Sequence, residues 1–137
     1  MKEVTIYTDG SCIDNALGSG RSGYCAILVL GEHERVVSGP IKNGTNNIAE
    51  LTAILEGLKA LKYPCKVTLY TDSQFAIGTL TKGWKRKDVE CAKVSRQIDP
   101  LLRVHEVTFQ HVYGHTGHPM NERCDVIAAG EARRAGR

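Results

Sequence analysis

Two short stretches of this chain spell nearly the same strand and end on the same acid: VTIYTD at Val4 to Asp9, and VTLYTD at Val67 to Asp72. In a strand the side chains alternate faces, so Thr5, Tyr7 and Asp9 share one side, as do Thr68, Tyr70 and Asp72. If the two strands are adjacent and parallel, Asp9 and Asp72 meet at one end of a sheet. Like charges repel there unless a cation lies between them. Two further acids stand near helix starts, Glu50 in TNNIAEL and Asp125 in GHTGHPMNERCD. Acids drawn from two strand ends and two helix starts suit hard divalent cations, which prefer oxygen ligands. Each acid also has a plain structural use. Asp-Gly and Asp-Ser favour turns and caps, Asn47-x-x-Glu50 is close to a capping box, and Asp125 complements a helix dipole.

A second stretch with chemistry in it is Lys82-Gly83-Trp84-Lys85-Arg86-Lys87, four cations beside an indole. That mix suits phosphate contact and stacking on a base or sugar. It equally describes a solvated loop with one half-buried tryptophan.

The elements that must position these groups can be read in order. After the first strand, Gly10, Gly18, Gly20 and Gly23 make residues 10 to 23 a loop or wide turn. Tyr24 to Leu30 and Arg35 to Pro40 read as strands, giving an antiparallel meander of three. Ile48, Leu51, Ile54, Leu55, Leu58 and Leu61 recur at helical spacing, which predicts a helix over 48–62, stopped by Pro64. The repeated strand follows at Lys66 to Thr71, and Ser73 is placed to cap a helix through about Leu80. Asp88 can cap another helix, which Pro100 must kink, restart or end. Val104 to Val112 alternates as a last strand, before a loop and a helix from about Asn121. Strands reached through a helix are usually parallel to their neighbours. The expected architecture is therefore α/β, a mixed five-stranded sheet with its first three strands antiparallel, then parallel strands, and helices on its faces.

At 137 residues the chain reads as one domain, 1–137. Its 42% hydrophobic and 24% charged residues are ordinary for a globular protein, with no apolar run long enough to span a membrane. The start MKEVTIYTDG enters strand pattern directly, which points to the cytoplasm. Five cysteines lie far apart without a Cys-x-x-Cys pair, so free thiols are expected. The net charge of +3 neither proves nor discourages a polyanionic partner.

Four blocks in this order and spacing resemble type 1 ribonuclease H along nearly the whole chain: YTDGSC at Tyr7 to Cys12, TNN with AEL at Thr45 to Leu51, YTDSQ at Tyr70 to Gln74, and GHTGHPMNERCD at Gly114 to Asp125. The resemblance implies an RNase H-like fold and endonucleolytic hydrolysis of the RNA strand of RNA/DNA hybrids, leaving 5′-phosphate and 3′-hydroxyl ends with little sequence preference. It implies that Asp9, Glu50, Asp72 and Asp125 hold two Mg2+ ions, with Mn2+ as an alternative. Such an ion pair clamps the attacking and leaving oxygens of an in-line displacement. His115 would be the loop histidine that handles a proton or helps product leave.

Asn15, Asn46, Asn47 and Gln74 resemble the contacts to the minor groove, where a ribose 2′-OH separates RNA from DNA. Thr45 resembles a phosphate contact on the DNA strand, and Trp84 and Lys85 belong to the basic segment that meets the hybrid. Between Leu80 and Val89 that segment is shorter than the family's long basic protrusion. The expected partner is an RNA/DNA hybrid bound by a monomer, with no membrane. A non-catalytic binder of hybrid or double-stranded RNA would have no need of the complete acid set. A nuclease for other nucleic acids would not call for the asparagines.

Overall fold

The repeated strand forms the middle of the sheet. In the computed structural model, which describes residues 1–14, 20–113 and 117–135, β1 (Lys2–Cys12) and β4 (Cys65–Thr71) run parallel. Val4 is level with Val67, Thr5 with Thr68, Ile6 with Leu69 and Tyr7 with Tyr70. The two copies thus lie side by side in register, and the rings of Tyr7 and Tyr70 stack with centroids 5.1 Å apart. β2 (Gly20–Leu30) and β3 (His33–Gly44) continue the sheet antiparallel from β1, and β5 (Glu106–His111) adds parallel to β4. The strand order is β3-β2-β1-β4-β5.

The helices are α1 (Asn46–Lys59), α2 (Gln74–Thr81), α3 (Val89–Val104) and α4 (Pro119–Arg134). Leu51, Ile54, Leu55 and Leu58 of α1 fall on one stripe and bury themselves against Val4, Ile6, Leu28 and Leu69 of the sheet, with Ala76 of α2 and Ile98 of α3 in the same cluster. The opposite face is covered by α4, whose Cys124 and Ala128 pack on Cys25 and Ile27. Helices therefore cover both faces. Three of them begin as their sequences dictate. Side-chain oxygens of Thr45, Ser73 and Asp88 accept from Ile48, Ala76 and Cys91 N–H groups at 3.2, 3.0 and 2.8 Å.

Several boundaries differ from the sequence reading. Residues 10 to 23 are not one loop: β1 runs on to Cys12 and β2 starts at Gly20, with Ser11 level with Gly23 and Cys12 with Ser22. Ladder hydrogen bonds there outweigh the entropic cost of glycine in a strand. Helix α1 ends at Lys59 rather than at residue 62. Pro100 lies inside α3 without ending it. Its ring and the neighbouring Arg96 are exposed, so water can reach the carbonyl that proline leaves without a partner, while Cys91, Ser95 and Ile98 hold the helix from the other side. Because α3 continues through Val104, the last strand begins at Glu106.

Candidate metal centre and nucleic-acid face

Asp9 lies near the end of β1 and Asp72 directly follows β4, and the parallel register sets both acids at one end of the sheet. The third acid arrives from above. Glu50, in the first turns of α1, points inward, and its Oε1 accepts the Gly10 N–H at 2.6 Å while Asp9 Oδ1 accepts the same N–H at 3.0 Å. This close approach needs a glycine. A Cβ at position 10 would overlap the backbone of Ala49 and Glu50. The helix is capped by Thr45 and not by Asn47, so the capping-box reading of Asn47 and Glu50 is not realised and the Glu50 carboxylate is left for the sheet end.

Asp9, Glu50 and Asp72 each bring a carboxylate oxygen to within 4.8 Å of the others'. Asp9 and Glu50 are each only 7% exposed, whereas Asp72 faces solvent. Burial, together with the charges of Asp72 and Asp125, pushes the Asp9 carboxyl up to about 7. Burial first, then repulsion from Asp9 and Asp72, drives Glu50 well above the usual carboxylate range. Glu50 Oε2 is buried and has no hydrogen-bond partner among the described residues. An all-oxygen donor set with an unpartnered buried oxygen and like charges under strain is what a divalent cation relieves. The residues fit such an ion.

Asp125 lies in the second turn of α4, farther into the helix than the dipole explanation requires, and its carboxyl acts on Asp9. Just before it, Cys124 Sγ donates to the Tyr7 carbonyl at 3.2 Å, fixing this part of α4 over β1. His115 and Asn15 lie outside the described residues.

Around the acids the other expected residues fall into two groups. Thr45, Asn47 and Lys85 line one cavity of about 460 Å³, with Asn46 exposed beside Asn47 at the start of α1. Gln74 and Trp84 line a second, of about 290 Å³. The Trp84 indole is 48% exposed and rests on Gly78, where any Cβ would strike the ring. His111, which no sequence motif marks, lines the same cavity as Trp84 and reaches the Asp72 carbonyl through Nε2 at 3.3 Å. Its signal was positional, since β5 pairs parallel to β4 and sets His111 level with Thr71. The four cations of 82–87 also divide. Arg86 is bound to Asp99 of α3, which leaves Lys82, Lys85 and Lys87 to face outward.

A mixed five-stranded sheet with helices on both faces and acids converging at the ends of β1 and β4 defines an RNase H-like α/β fold with an acidic centre. The profile of the RNase H family matches residues 1–133, and the chain belongs to that family. It is thus a ribonuclease H-type enzyme, a nuclease of the hydrolase class. Ribonuclease H of Nitratidesulfovibrio vulgaris is 43% identical over 146 residues, covering 98% of this chain and 92% of its own. The crystal structure of RNase H1 from the halophilic archaeon Halobacterium salinarum superposes with a TM-score of 0.80 at 26% identity, covering 97% of this chain and 99% of that one. LC11-RNase H1 in complex with an RNA/DNA hybrid shares the fold, with a TM-score of 0.80 at 20% identity over 96% of this chain and 97% of that one.

Proposed function

We propose that residues 1–137 form a single catalytic domain that hydrolyses the RNA strand of RNA/DNA hybrids, leaving 5′-phosphate and 3′-hydroxyl ends, with little dependence on base sequence. One observation carries this reading. In a chain of the RNase H family, three carboxylates converge within 4.8 Å while a buried oxygen of one of them lacks any described partner. Asp9, Glu50, Asp72 and Asp125 would hold two Mg2+ ions, with Mn2+ as an alternative. When bound, such ions supply Lewis acidity and charge neutralisation at the scissile phosphate. The chain's own residues do the rest.

Gly10, through its shared N–H, locks Asp9 and Glu50 in place before substrate arrives. Asn46, Asn47 and Gln74, exposed at the starts of α1 and α2, offer amides that can both donate to and accept from a ribose 2′-OH, as would Asn15. Thr45 and Lys85 share a cavity suited to a phosphate of the DNA strand. Trp84, held flat on Gly78, offers a face for a sugar. His115 would take or give a proton at the water or the departing oxygen. A solved relative with this fold was captured with an RNA/DNA hybrid, which supports the same partner here. The reading is of a monomer in the cytoplasm. The five unpaired cysteines suit a reducing compartment, and among the described residues no helix is long and apolar enough to cross a membrane.

The test is to incubate the protein with labelled RNA/DNA hybrid, double-stranded RNA and double-stranded DNA, each with magnesium, manganese or chelator. Cleavage confined to the RNA of the hybrid, and lost with chelator, is expected. Hybrid left intact under every metal condition rejects the proposal. Asp9→Asn should abolish cleavage with hybrid binding largely retained, and His115→Ala should slow turnover only in part.

A further inference from the structure

At the end of the sheet away from the acids, the start of β1, the turn between β2 and β3 and the end of α1 enclose a cavity of about 290 Å³. Seven residue steps of strand lead from Lys2 to Asp9, which puts this cavity roughly 23 Å from the acidic centre. Its floor is apolar, built by Val4, Leu28, Leu30 and Leu61. Its rim is basic. Lys2, Arg35 and Lys62 surround the opening, and neither Arg35 nor Lys62 has an acidic partner within ion-pair distance among the described residues. Glu34, the one carboxylate of the lining, is held by Arg123 of α4 at 2.6 Å and so does not neutralise them. Lys2 is steered over the ring of Tyr63, 5.4 Å from its centroid, along the same rim.

A pocket of this size with an apolar floor and a few convergent charged groups has the anatomy of a small-molecule site. Nothing in the nuclease reading uses it. We infer that this cavity binds a small amphipathic anion, with an aryl or short alkyl body on the Leu28, Leu30 and Leu61 floor and one carboxylate or sulfonate head between Arg35 and Lys62. Phosphodiester backbones do not match it, because a polyanion has no apolar body to bury and the rim offers no second ring of cations. Charge fixes the orientation, and apolar burial supplies most of the affinity.

Two fluorescent probes that share an anilinonaphthalene body test this with the full chain: 8-anilinonaphthalene-1-sulfonate, and N-phenyl-1-naphthylamine, which lacks the sulfonate. The anionic probe should bind saturably with one-to-one stoichiometry and be displaced by hexanoate. It should bind about tenfold more tightly than the neutral probe, the scale of one charge-assisted contact. Arg35→Ala with Lys62→Ala, both on the rim, should bring the two probes to within about twofold of each other. Ala60→Trp, at the end of α1 on the cavity wall, should remove binding of both while leaving the thermal transition cooperative. Equal affinity of the two probes for the unmodified protein would overturn the inference. So would an anion preference that survives loss of both rim cations, or non-saturable uptake.

Discussion

Arg86 grips Asp99 with two guanidinium nitrogens, at 2.7 and 2.9 Å, and reaches the Thr79 carbonyl at 3.3 Å with one of them. The loop between α2 and α3 is thereby tied to both of its flanking helices. In a chain whose basic segment is short, this clasp orders Trp84, Lys85 and Lys87 before any polyanion is met. Arg86→Ala should raise KM for an RNA/DNA hybrid severalfold with little change in kcat, and cost about 1 kcal/mol of stability, the upper range for a partly exposed pair with bidentate geometry. Arg86→Lys should recover little of either, since an ammonium cannot make the fork. Steady-state kinetics and urea melts check both numbers. An unchanged KM would mean that the loop does not depend on the clasp.

Trp84 is the only tryptophan of the chain, so its fluorescence reports on one place. Gly78→Ala puts a methyl group where the indole lies. The ring can swing outward, and the expected cost is therefore about 1 kcal/mol, at the low end for overpacking. The emission maximum should move to longer wavelength as the ring gains water. A blue shift or an unaltered spectrum would contradict the packing described.

The acidic centre makes a prediction about the protein without metal. The folded-state proton of Asp9 is held up to about 7, well above its ordinary carboxylate range. Between that ordinary range and neutrality the folded state binds more protons than the unfolded one. Stability of the metal-free protein therefore falls as pH rises through this window, and Asp9→Asn flattens the slope. Adding magnesium at neutral pH should raise Tm, because a cation binds the folded acids and not the unfolded chain. Glu50→Gln should lose most of that rise while its metal-free Tm is no lower than that of the unmodified protein. Differential scanning calorimetry with and without chelator reads all of these outcomes.

His105 behaves in the opposite sense. Its Nδ1 accepts the buried Cys65 N–H at 3.1 Å, and burial lowers its affinity for a proton. The unfolded state then binds more protons just below the ordinary histidine value. This contribution is complete at neutral pH and is lost as pH falls below about 6.5 toward the depressed folded value. His105→Phe should remove this contribution to the pH dependence and leave that of Asp9 in place. It should also cost about 1–3 kcal/mol at neutral pH, by leaving the Cys65 N–H without an acceptor. Urea melts across the acid range measure both effects.

Much of this arrangement was legible in the amino-acid order because the signals were local. The alternation of VTIYTD and VTLYTD gives two strands, the leucine spacing of α1 gives a helix face, and Ser73 and Asp88 are caps whose partners lie three residues on, whereas the cap of α1 is Thr45 and not the expected Asn47. What escaped depends on partners far away in the chain. Ser11 and Cys12 look like a glycine-rich loop until Gly23 and Ser22 are there to pair with them. Pro100 reads equally as a kink, a restart or an end until the buried side of α3 has a core to hold it. Arg86 looks like one more phosphate ligand until Asp99 is brought opposite it. For the site, the meeting of Asp9 and Asp72 follows from parallel pairing and Glu50 is aimed over the strand ends by the start of α1, whereas the place of His111 needs the register of β5 as well.

Two nearly identical strands in one sheet raise a question of address, since either copy could in principle take the central place. The residue after each copy tells them apart. Gly10 leaves room for the first turn of α1 to settle on the strand, and a Cβ there would collide with Ala49. The second copy is followed by Ser73, whose side-chain oxygen accepts the Ala76 N–H to begin a helix of its own. A chain that docked VTLYTD beneath α1 would meet side chains where it needs bare backbone. A single missing methyl group therefore works as a proofreading mark, by which folding tells the strand that lies under Glu50 from its near-twin beside it.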